Sequence, residues 1–449
     1  MTREKLLYVE TFGCQMNVSD SEKIVALLKK VGYHPTQDSS RADLVILNTC
    51  SVREKPEKKV YSSLGRFKVP KNGGRRPILA VGGCVAQQEG ERLLEKVPYL
   101  DIVFGTHNLH LLPDMVRRAE EGTRVAEVGF IDSEARLDLF PVEEDEGGLS
   151  RFVTVMQGCD NFCSYCIVPY VRGREISRRS MEIIREIAEM AERGVKEVTL
   201  LGQNVNSYGL KSGGEPDFAG LLRRVAEIPG IERIRFTTSH PKDISSPLIA
   251  CFAGVPKLCG HIHLPVQSGS DAVLARMNRG YTRGEYLERI AALKAARPGI
   301  QITGDMIVGF PGESEADFQD TLSVMEEVGY ADLFSFKYSV RPGTKASAFP
   351  DDVTAAVKQE RLARLQELQR RLTLERNRSF VGTVQRVLVE GESKRGGQLF
   401  GRTDGNRVVN FAGAPYLIGV MTEVVITRAF QNSLCGELHN HTGRGGNVS

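Results

Sequence analysis

The sequence predicts an α/β protein in three parts. These are an N-terminal parallel-sheet α/β domain over residues 4–120, a central partial barrel of six β/α units over 151–373, and a small antiparallel β-barrel over 376–440, with 121–150 as a linker. Three observations carry this. Strand-like apolar runs alternate with helical spacing through most of the chain, which implies parallel strands with helices on the sheet faces. The alternation is interrupted by the acidic, aperiodic stretch IDSEARLDLFPVEEDEGGLS (131–150). Past residue 376 the pattern becomes short alternating runs between Gly/Asn turns.

The N-terminal strands are expected in LLYVETFGC (6–14), ADLVILNTC (42–50), PILAVGGC (77–84) and LDIVFGTH (100–107). After the first, SDSE (19–22) has the form of a capping box. Ile24, Leu27, Leu28 and Val31 then follow the spacing of one helix face, and Gly32 ends the helix.

The central strands are expected in RFVTVMQGC (151–159), EVTLLGQN (197–204), RIRFTTSHP (233–241), HIHLPVQSG (261–269), QITGDMIVGFP (301–311) and LFSFKYSV (333–340). Six units give a parallel barrel two short of the usual eight. Chemistry in such barrels sits at the C-terminal strand ends, which here carry GC, GQN, SHP, QSG and GFPGE. VTAAVKQERLARLQELQRRLT (353–373) is a basic amphipathic helix leading out of the barrel. VGTVQRVLVEGES, QLFGRT, RVVNFAG and EVVITRAF then make a barrel of about five strands.

Composition excludes several classes. Hydrophobic residues make up 41% and charged residues 26%, ordinary for a soluble protein. No run reaches the ~18 apolar residues of a membrane span, and MTREKLLYVETFGC lacks the apolar core of a signal peptide, so a cytoplasmic location is expected. Nine cysteines, an odd number in a chain without export signals, favour metal or redox chemistry over disulfides. The net charge of +3 is uninformative, but from Arg376 onward nine Lys/Arg face five acids, a net of +4 compatible with RNA.

GCDNFCSYC (158–166) places Cys159, Cys163 and Cys166 in one polar loop after the first barrel strand. Soft thiolates at this spacing select zinc, copper(I) or iron–sulfur. A 4Fe–4S cluster commonly takes four cysteines. Here the next cysteine is Cys251 and no local His is present, so one iron would keep an open position, as catalytic metal sites do. A zinc knuckle would want a second pair of ligands that is missing. A second trio is hidden by its spacing: Cys14, Cys50 and Cys84 each close a strand run of the first domain. C-terminal strand ends of a parallel sheet lie along one edge, so these three can meet at one site. Again three ligands leave one position open. Cys251, Cys259 and Cys435 have no partners at useful spacing and read as small hydrophobes. His240, His261 and His263 read as structural.

CxxxCxxC at the end of strand one of a six-unit βα barrel resembles the radical S-adenosylmethionine (SAM) superfamily. That resemblance implies SAM chelating the open iron, and one electron cleaving it to a 5′-deoxyadenosyl radical. It also implies that Tyr165 lies near the adenine. Gln203 of GQN stands where the family often has a Gly-Gly-Glu contacting the methionine amino group, while Ser239 and ITGDMIVGF (302–310) occupy positions that in the family usually line the ribose and adenine. With the N-terminal cysteine trio and the C-terminal barrel, which resembles the RNA-binding TRAM domain, nearly the whole chain is similar to the methylthiotransferase family. TFGCQMN (11–17), GREISRR (173–179), VTLLGQNVNSYG (198–209), LPVQSGSDAVLARMNRGYTR (264–283) and DMIVGFPGE (305–313) resemble its bacterial branch acting on isopentenylated (dimethylallyl) adenosine in tRNA. Branches acting on a ribosomal-protein aspartate or on threonylcarbamoyladenosine differ after the first cysteine.

The resemblance implies a methylthio group placed on carbon 2 of the modified adenine beside the anticodon. It implies two 4Fe–4S clusters, on Cys159, Cys163 and Cys166 and on Cys14, Cys50 and Cys84, and two SAM per turnover. The implied partners are the tRNA anticodon stem-loop, an electron donor such as a flavodoxin or ferredoxin, and iron–sulfur assembly or carrier proteins; a monomer is expected. Arg361, Arg364, Arg370, Arg371, Arg376, Lys394, Arg395, Arg402 and Arg407 are candidate phosphate contacts. Phe400 and Phe411 are candidates for base stacking, with barrel core the competing role. Arg172 and Arg174 are candidates for substrate phosphate or the SAM carboxylate.

Overall fold

The computed structural model describes residues 4–51, 54–68, 76–131, 148–394 and 396–439. Most of the expected linker (132–147) and Arg395 lie outside the described residues.

The N-terminal domain is one parallel sheet. Its strands in spatial order are Tyr33–Pro35, Lys5–Thr11, Leu44–Thr49, Ile78–Gly83, Ile102–Phe104 and Val125–Glu127. All neighbours pair in parallel. Both faces are covered. Leu7, Leu44, Ile46 and Ile102 meet Ile24, Leu28, Leu112 and Met115 on one side. Val45, Leu47, Leu79 and Val103 meet Val60, Leu64, Leu93 and Val97 on the other. Each such side chain contributes roughly 1.5–3 kcal/mol by leaving water.

Three expectations change here. The first helix spans Gln15–Lys29 with Cys14 as its N-cap, so SDSE (19–22) is not a capping box. Gly13, at φ +113, turns the chain directly from strand into helix, and Ser19 lands in the second turn, where its hydroxyl meets Thr154 Oγ1 at 3.3 Å. Val31 lies past the helix end and is exposed. Strands Tyr33–Pro35 and Val125–Glu127 have only three residues each, too few for a periodicity signal; the second extends the sheet into the expected linker.

All six expected barrel strands form, as Ser150–Thr154, Glu197–Leu201, Arg233–Thr237, His261–His263, Gln301–Val308 and Asp332–Lys337. They make two parallel three-stranded groups. Ile234 N donates to Lys257 O (2.8 Å) and Cys259 N to Ile234 O (3.0 Å), which joins the groups into one arc. The first and last strands do not pair among the described residues, so the barrel stays open on one side. The N-terminal helix Gln15–Lys29 packs on the first barrel strand, and helix Ala355–Arg378 packs on the last.

The C-terminal unit is a closed barrel of strands Val384–Glu392, Leu399–Thr403, Val408–Phe411, Leu434–Leu438 and Met421–Ala429. Its pairings are antiparallel save Val408–Phe411 with Leu434–Leu438, which is parallel. Val387, Val409, Phe411, Val424 and Ile426 fill it. It docks on the N-terminal ends of the central strands, away from Cys159. Arg235 donates to Glu197 Oε2 (2.9 Å), Thr403 O (2.8 Å) and Asp404 O (2.9 Å).

Candidate functional site: two cysteine trios joined by one short helix

Cys14, Cys50 and Cys84 follow strands Lys5–Thr11, Leu44–Thr49 and Ile78–Gly83, three neighbours in the sheet. Strand order reverses between the first two, the crevice where doubly wound sheets bind ligands. Gly13 makes the approach possible: a Cβ there would stand 2.3 Å from Cys50 Cβ. Cys14 is exposed while Cys50 and Cys84 are buried. A hydrogen bond with Cys50, supported by the Arg172 charge, lowers the Cys14 thiol to about 6. Burial pushes Cys84 up, with Arg172 working against it. Asn17 Nδ2 donates to Thr49 O at 2.8 Å, tying the helix to the strand that delivers Cys50.

The loop carrying Cys159, Cys163 and Cys166 is held at several points. Gly158, at φ +79, lies against Arg174 O, and its N–H donates to Gln203 Oε1 at 2.5 Å. Ser164 N donates to Met277 O (2.9 Å), Ser164 Oγ to Arg276 O (2.8 Å), and Ala346 N to Ser164 O (2.7 Å). Phe162 takes φ 45, a strained conformation of the kind that collects at functional sites. Burial raises Cys159 to about 11 and raises Cys166 further. Three thiols in this loop are the soft donors an iron–sulfur site needs once the iron's charge displaces their protons. Among the described residues no three His/Cys/Asp/Glu side chains surround a single ion; the cysteines of a cluster each bind a separate iron.

The other expected residues surround this loop. Ser239 Oγ is buried and has no partner among the described residues, a hydroxyl left over for a ligand. Tyr165 packs against Val273, Met277 and Phe310, and its hydroxyl accepts from Arg279 Nη1 at 3.3 Å. The Gln203 carbonyl oxygen bonds the cysteine loop itself, so one of its two lone pairs is already engaged.

Sequence reasoning missed two neighbours of Cys163. Arg279 Nη1 donates to its sulfur at 3.3 Å, and His240 Nε2 lies 3.9 Å from it. Neither carries a spacing signal, because both contacts are long-range. Gln157, directly before Gly158, is 1% exposed, and neither amide atom has a partner among the described residues.

The two trios are connected. Helix Val168–Arg172 begins two residues after Cys166 and docks on the N-terminal sheet edge. Thr106 Oγ1 donates to Val171 O (2.6 Å), and His107 Nε2 meets Arg172 O (3.0 Å). Cys84 packs with Ile167 and Val171. Arg172 is therefore not available to phosphate or a SAM carboxylate: it is 3% exposed and paired with Asp20 at 2.8 Å. Arg174 is exposed but paired with Asp160 at 2.6 Å.

Several candidate RNA contacts are also corrected. Arg361 is buried on Glu313 (2.8 Å), pinning the GFPGE loop, and Arg407 is buried on Ala331 O. Arg376 bonds Gln301 and the carbonyls of Gly299 and Ile300. Arg364, Arg370, Arg371 and Arg402 pair with neighbouring glutamates but stay at the surface, and Lys394 is exposed. Phe411 is core; Phe400 is half-buried.

Models of an uncharacterized protein family (UPF0004), the radical SAM superfamily and the TRAM domain match residues 6–105, 153–325 and 378–439. Fold and site together thus define a radical SAM protein with an added N-terminal domain and a TRAM module. Among curated proteins it is 73% identical over 438 residues to the tRNA-2-methylthio-N(6)-dimethylallyladenosine synthase of Geotalea uraniireducens (strain Rf4), covering 98% of this chain and 100% of that one. It is 72% identical over 443 residues to the synthase of the same name from Geobacter sulfurreducens, covering 99% of each. The chain belongs to the tRNA-2-methylthio-N(6)-dimethylallyladenosine synthase family. A solved radical SAM methyltransferase from Kitasatospora setae shares the fold at TM-score 0.56 and 13% identity, over 77% of this chain and 74% of that chain.

Proposed function

We propose that this protein transfers a methylthio group to carbon 2 of N6-dimethylallyladenosine beside the anticodon in tRNA. The observation that carries this is the pair of three-cysteine sites joined by helix Val168–Arg172. Cys159, Cys163 and Cys166 would hold one 4Fe–4S cluster, and Cys14, Cys50 and Cys84 a second. Three thiols per site and the Ser239 hydroxyl, which has no partner among the described residues, fit the clusters and SAM. When bound, these groups supply a carbon-based radical able to take hydrogen from an unactivated C–H bond, and the sulfur that replaces it.

The chain's own residues position and exclude. Arg279 holds the Cys163 sulfur and the Tyr165 hydroxyl. Gln203 fixes the loop backbone at Gly158. Tyr165, Gln203 and Ser239 line the SAM site. An anticodon-loop base is already unpaired, so bringing it to the cysteines needs little duplex opening. The TRAM barrel supplies RNA affinity. The functional units are 4–120, 151–373 and 376–440, working as a cytoplasmic monomer served by a flavodoxin or ferredoxin and by iron–sulfur carrier proteins. Among the described residues no helix is long and apolar enough to cross a membrane.

The test is mass spectrometry of a dimethylallylated anticodon stem-loop after incubation with reconstituted, reduced protein and SAM. A mass gain of one methylthio group is expected. SAM cleavage without that gain would remove the substrate assignment.

A further inference from the structure

Arg172 sits where the two cysteine sites meet, and its interactions are incomplete. Nη2 donates to Asp20 Oδ2 (2.8 Å) and Asn17 Oδ1 (3.2 Å). Nη1 is buried without a hydrogen bond of normal geometry among the described residues, while the guanidinium already acts on the Cys84 thiol as a donor as well as by charge. The side chain is 3% exposed, out of reach of bulk solvent. Its charge acts on both Cys14 and Cys84. The backbone beneath it is fixed from the other domain by Thr106 and His107.

A strut between domains does not need this arrangement. Burying a guanidinium–carboxylate pair costs desolvation that a hydrophobic residue of similar size avoids. An arginine with an unused fork nitrogen beside two thiols instead fits a group that will receive that hydrogen bond. Hydrogen bonds to sulfur and nearby positive charge raise the reduction potential of an iron–sulfur centre.

We propose that Arg172 is a positioning residue for the Cys14, Cys50 and Cys84 site: its free Nη1 donates to sulfur there, and its charge raises that centre's reduction potential. The residue is presented by the helix that follows the other cysteine loop, so the radical-SAM half of the chain sets the electronics of the N-terminal half. This rests on the reading of those three cysteines as cluster ligands.

The test uses full-length protein with Cys159, Cys163 and Cys166 replaced by Ala, leaving one site, in EPR-monitored redox titration. If this parent retains no iron after reconstitution, the cluster reading fails and the inference with it. If it holds about four irons per chain, Arg172→Met is compared with it. The expected result is retained iron and at least a tenfold lower reduced-to-oxidised ratio at fixed potential, about 59 mV for one electron. Retained iron with an unchanged midpoint and line shape overturns the proposal. Asp20→Asn leaves the guanidinium in place and must shift the midpoint less; an equal shift marks Arg172 as a strut and also overturns it. Should Arg172→Met lose its iron, Arg172→Lys decides. A displaced midpoint or altered g values support the proposal, and a titration superimposable on the parent's overturns it.

Discussion

Arg279 donates a hydrogen bond to the sulfur of Cys163 at 3.3 Å, across 116 residues of chain. The same guanidinium donates to Tyr281 OH (3.0 Å) and Pro265 O (2.8 Å), so it is locked in place before any cluster arrives. Outer partners of metal ligands typically change metal affinity or activity 10–100-fold. Arg279→Met is expected to slow 5′-deoxyadenosine formation by about that factor, and Arg279→Lys by less. Quantifying 5′-deoxyadenosine by liquid chromatography decides it; a wild-type rate in Arg279→Met would show the bond to be incidental.

The two cysteine sites make separable predictions. Cys14→Ala, Cys50→Ala and Cys84→Ala combined should halve the iron content and abolish methylthiolation, while SAM is still cleaved. The same changes at Cys159, Cys163 and Cys166 should abolish both. Iron assay and product analysis on the same samples check this. Methylthiolated RNA from the first triple variant would exclude the N-terminal site as the sulfur source.

Asp20 and Arg172 join two domains through a buried ion pair, with side chains 4% and 3% exposed. Removing one partner strands a charge. Asp20→Ala should cost about 3–5 kcal/mol, and adding Arg172→Met should recover much of that loss. Urea unfolding of the cluster-free chain measures both. Additive losses would mean the pair is not coupled.

Much of this was legible in the sequence, for a physical reason. Strands announce themselves by apolar runs, and a cysteine just past the C-terminal end of three of them needs only a parallel sheet to become a site. What the sequence hid is pairing across distance. Arg172 reads as a surface cation two residues before Arg174, yet one is buried on Asp20 and the other is exposed. Arg361 and Arg407 read as phosphate contacts because composition cannot show that Glu313 and Ala331 O lie underneath them. The SDSE box failed because Gly13 starts the helix earlier, with Cys14 in the capping position.

His261 gives the chain an acid-side weakness. Burial, then the charges of Arg235, His263 and Arg407, hold its pKa well below the usual imidazole value. Thr303 Oγ1 lies 3.2 Å from Nε2, and His263 beyond it meets Asp305 at 3.5 Å. Folded His261 stays neutral, whereas the unfolded chain takes up a proton near pH 6.5. Stability is thus fully present above that pH and falls below it, by up to about 1.4 kcal/mol per pH unit for this one proton. In His261→Asn the slope between pH 6 and 5 should be shallower by that amount. Parallel unfolding curves at the two pH values for wild type and variant would sink the assignment.

Arg235 tests whether the placement of the C-terminal barrel matters to RNA. Its guanidinium satisfies the buried Glu197 carboxylate and two carbonyls of the TRAM barrel, Thr403 O and Asp404 O. Arg233 adds bonds to Arg402 O (2.7 Å) and Arg386 O (3.3 Å), and Arg297 pairs with Asp404 at 3.1 Å. These contacts lie at the strand ends opposite the cysteine loop, so they fix where an RNA held by the barrel can present its loop without touching the chemistry. Arg235→Met leaves Glu197 with the more distant Arg233 at 3.6 Å and the Ser150 hydroxyl at 3.5 Å. The expected outcome is at least about tenfold weaker binding of a full tRNA, the effect of losing ~1.4 kcal/mol, with the rate of SAM cleavage unchanged. Filter binding at two salt concentrations separates the cases. A shallower salt dependence would mean that phosphate contacts have been lost with the geometry; an unchanged Kd would show that the barrel binds RNA independently of its docking.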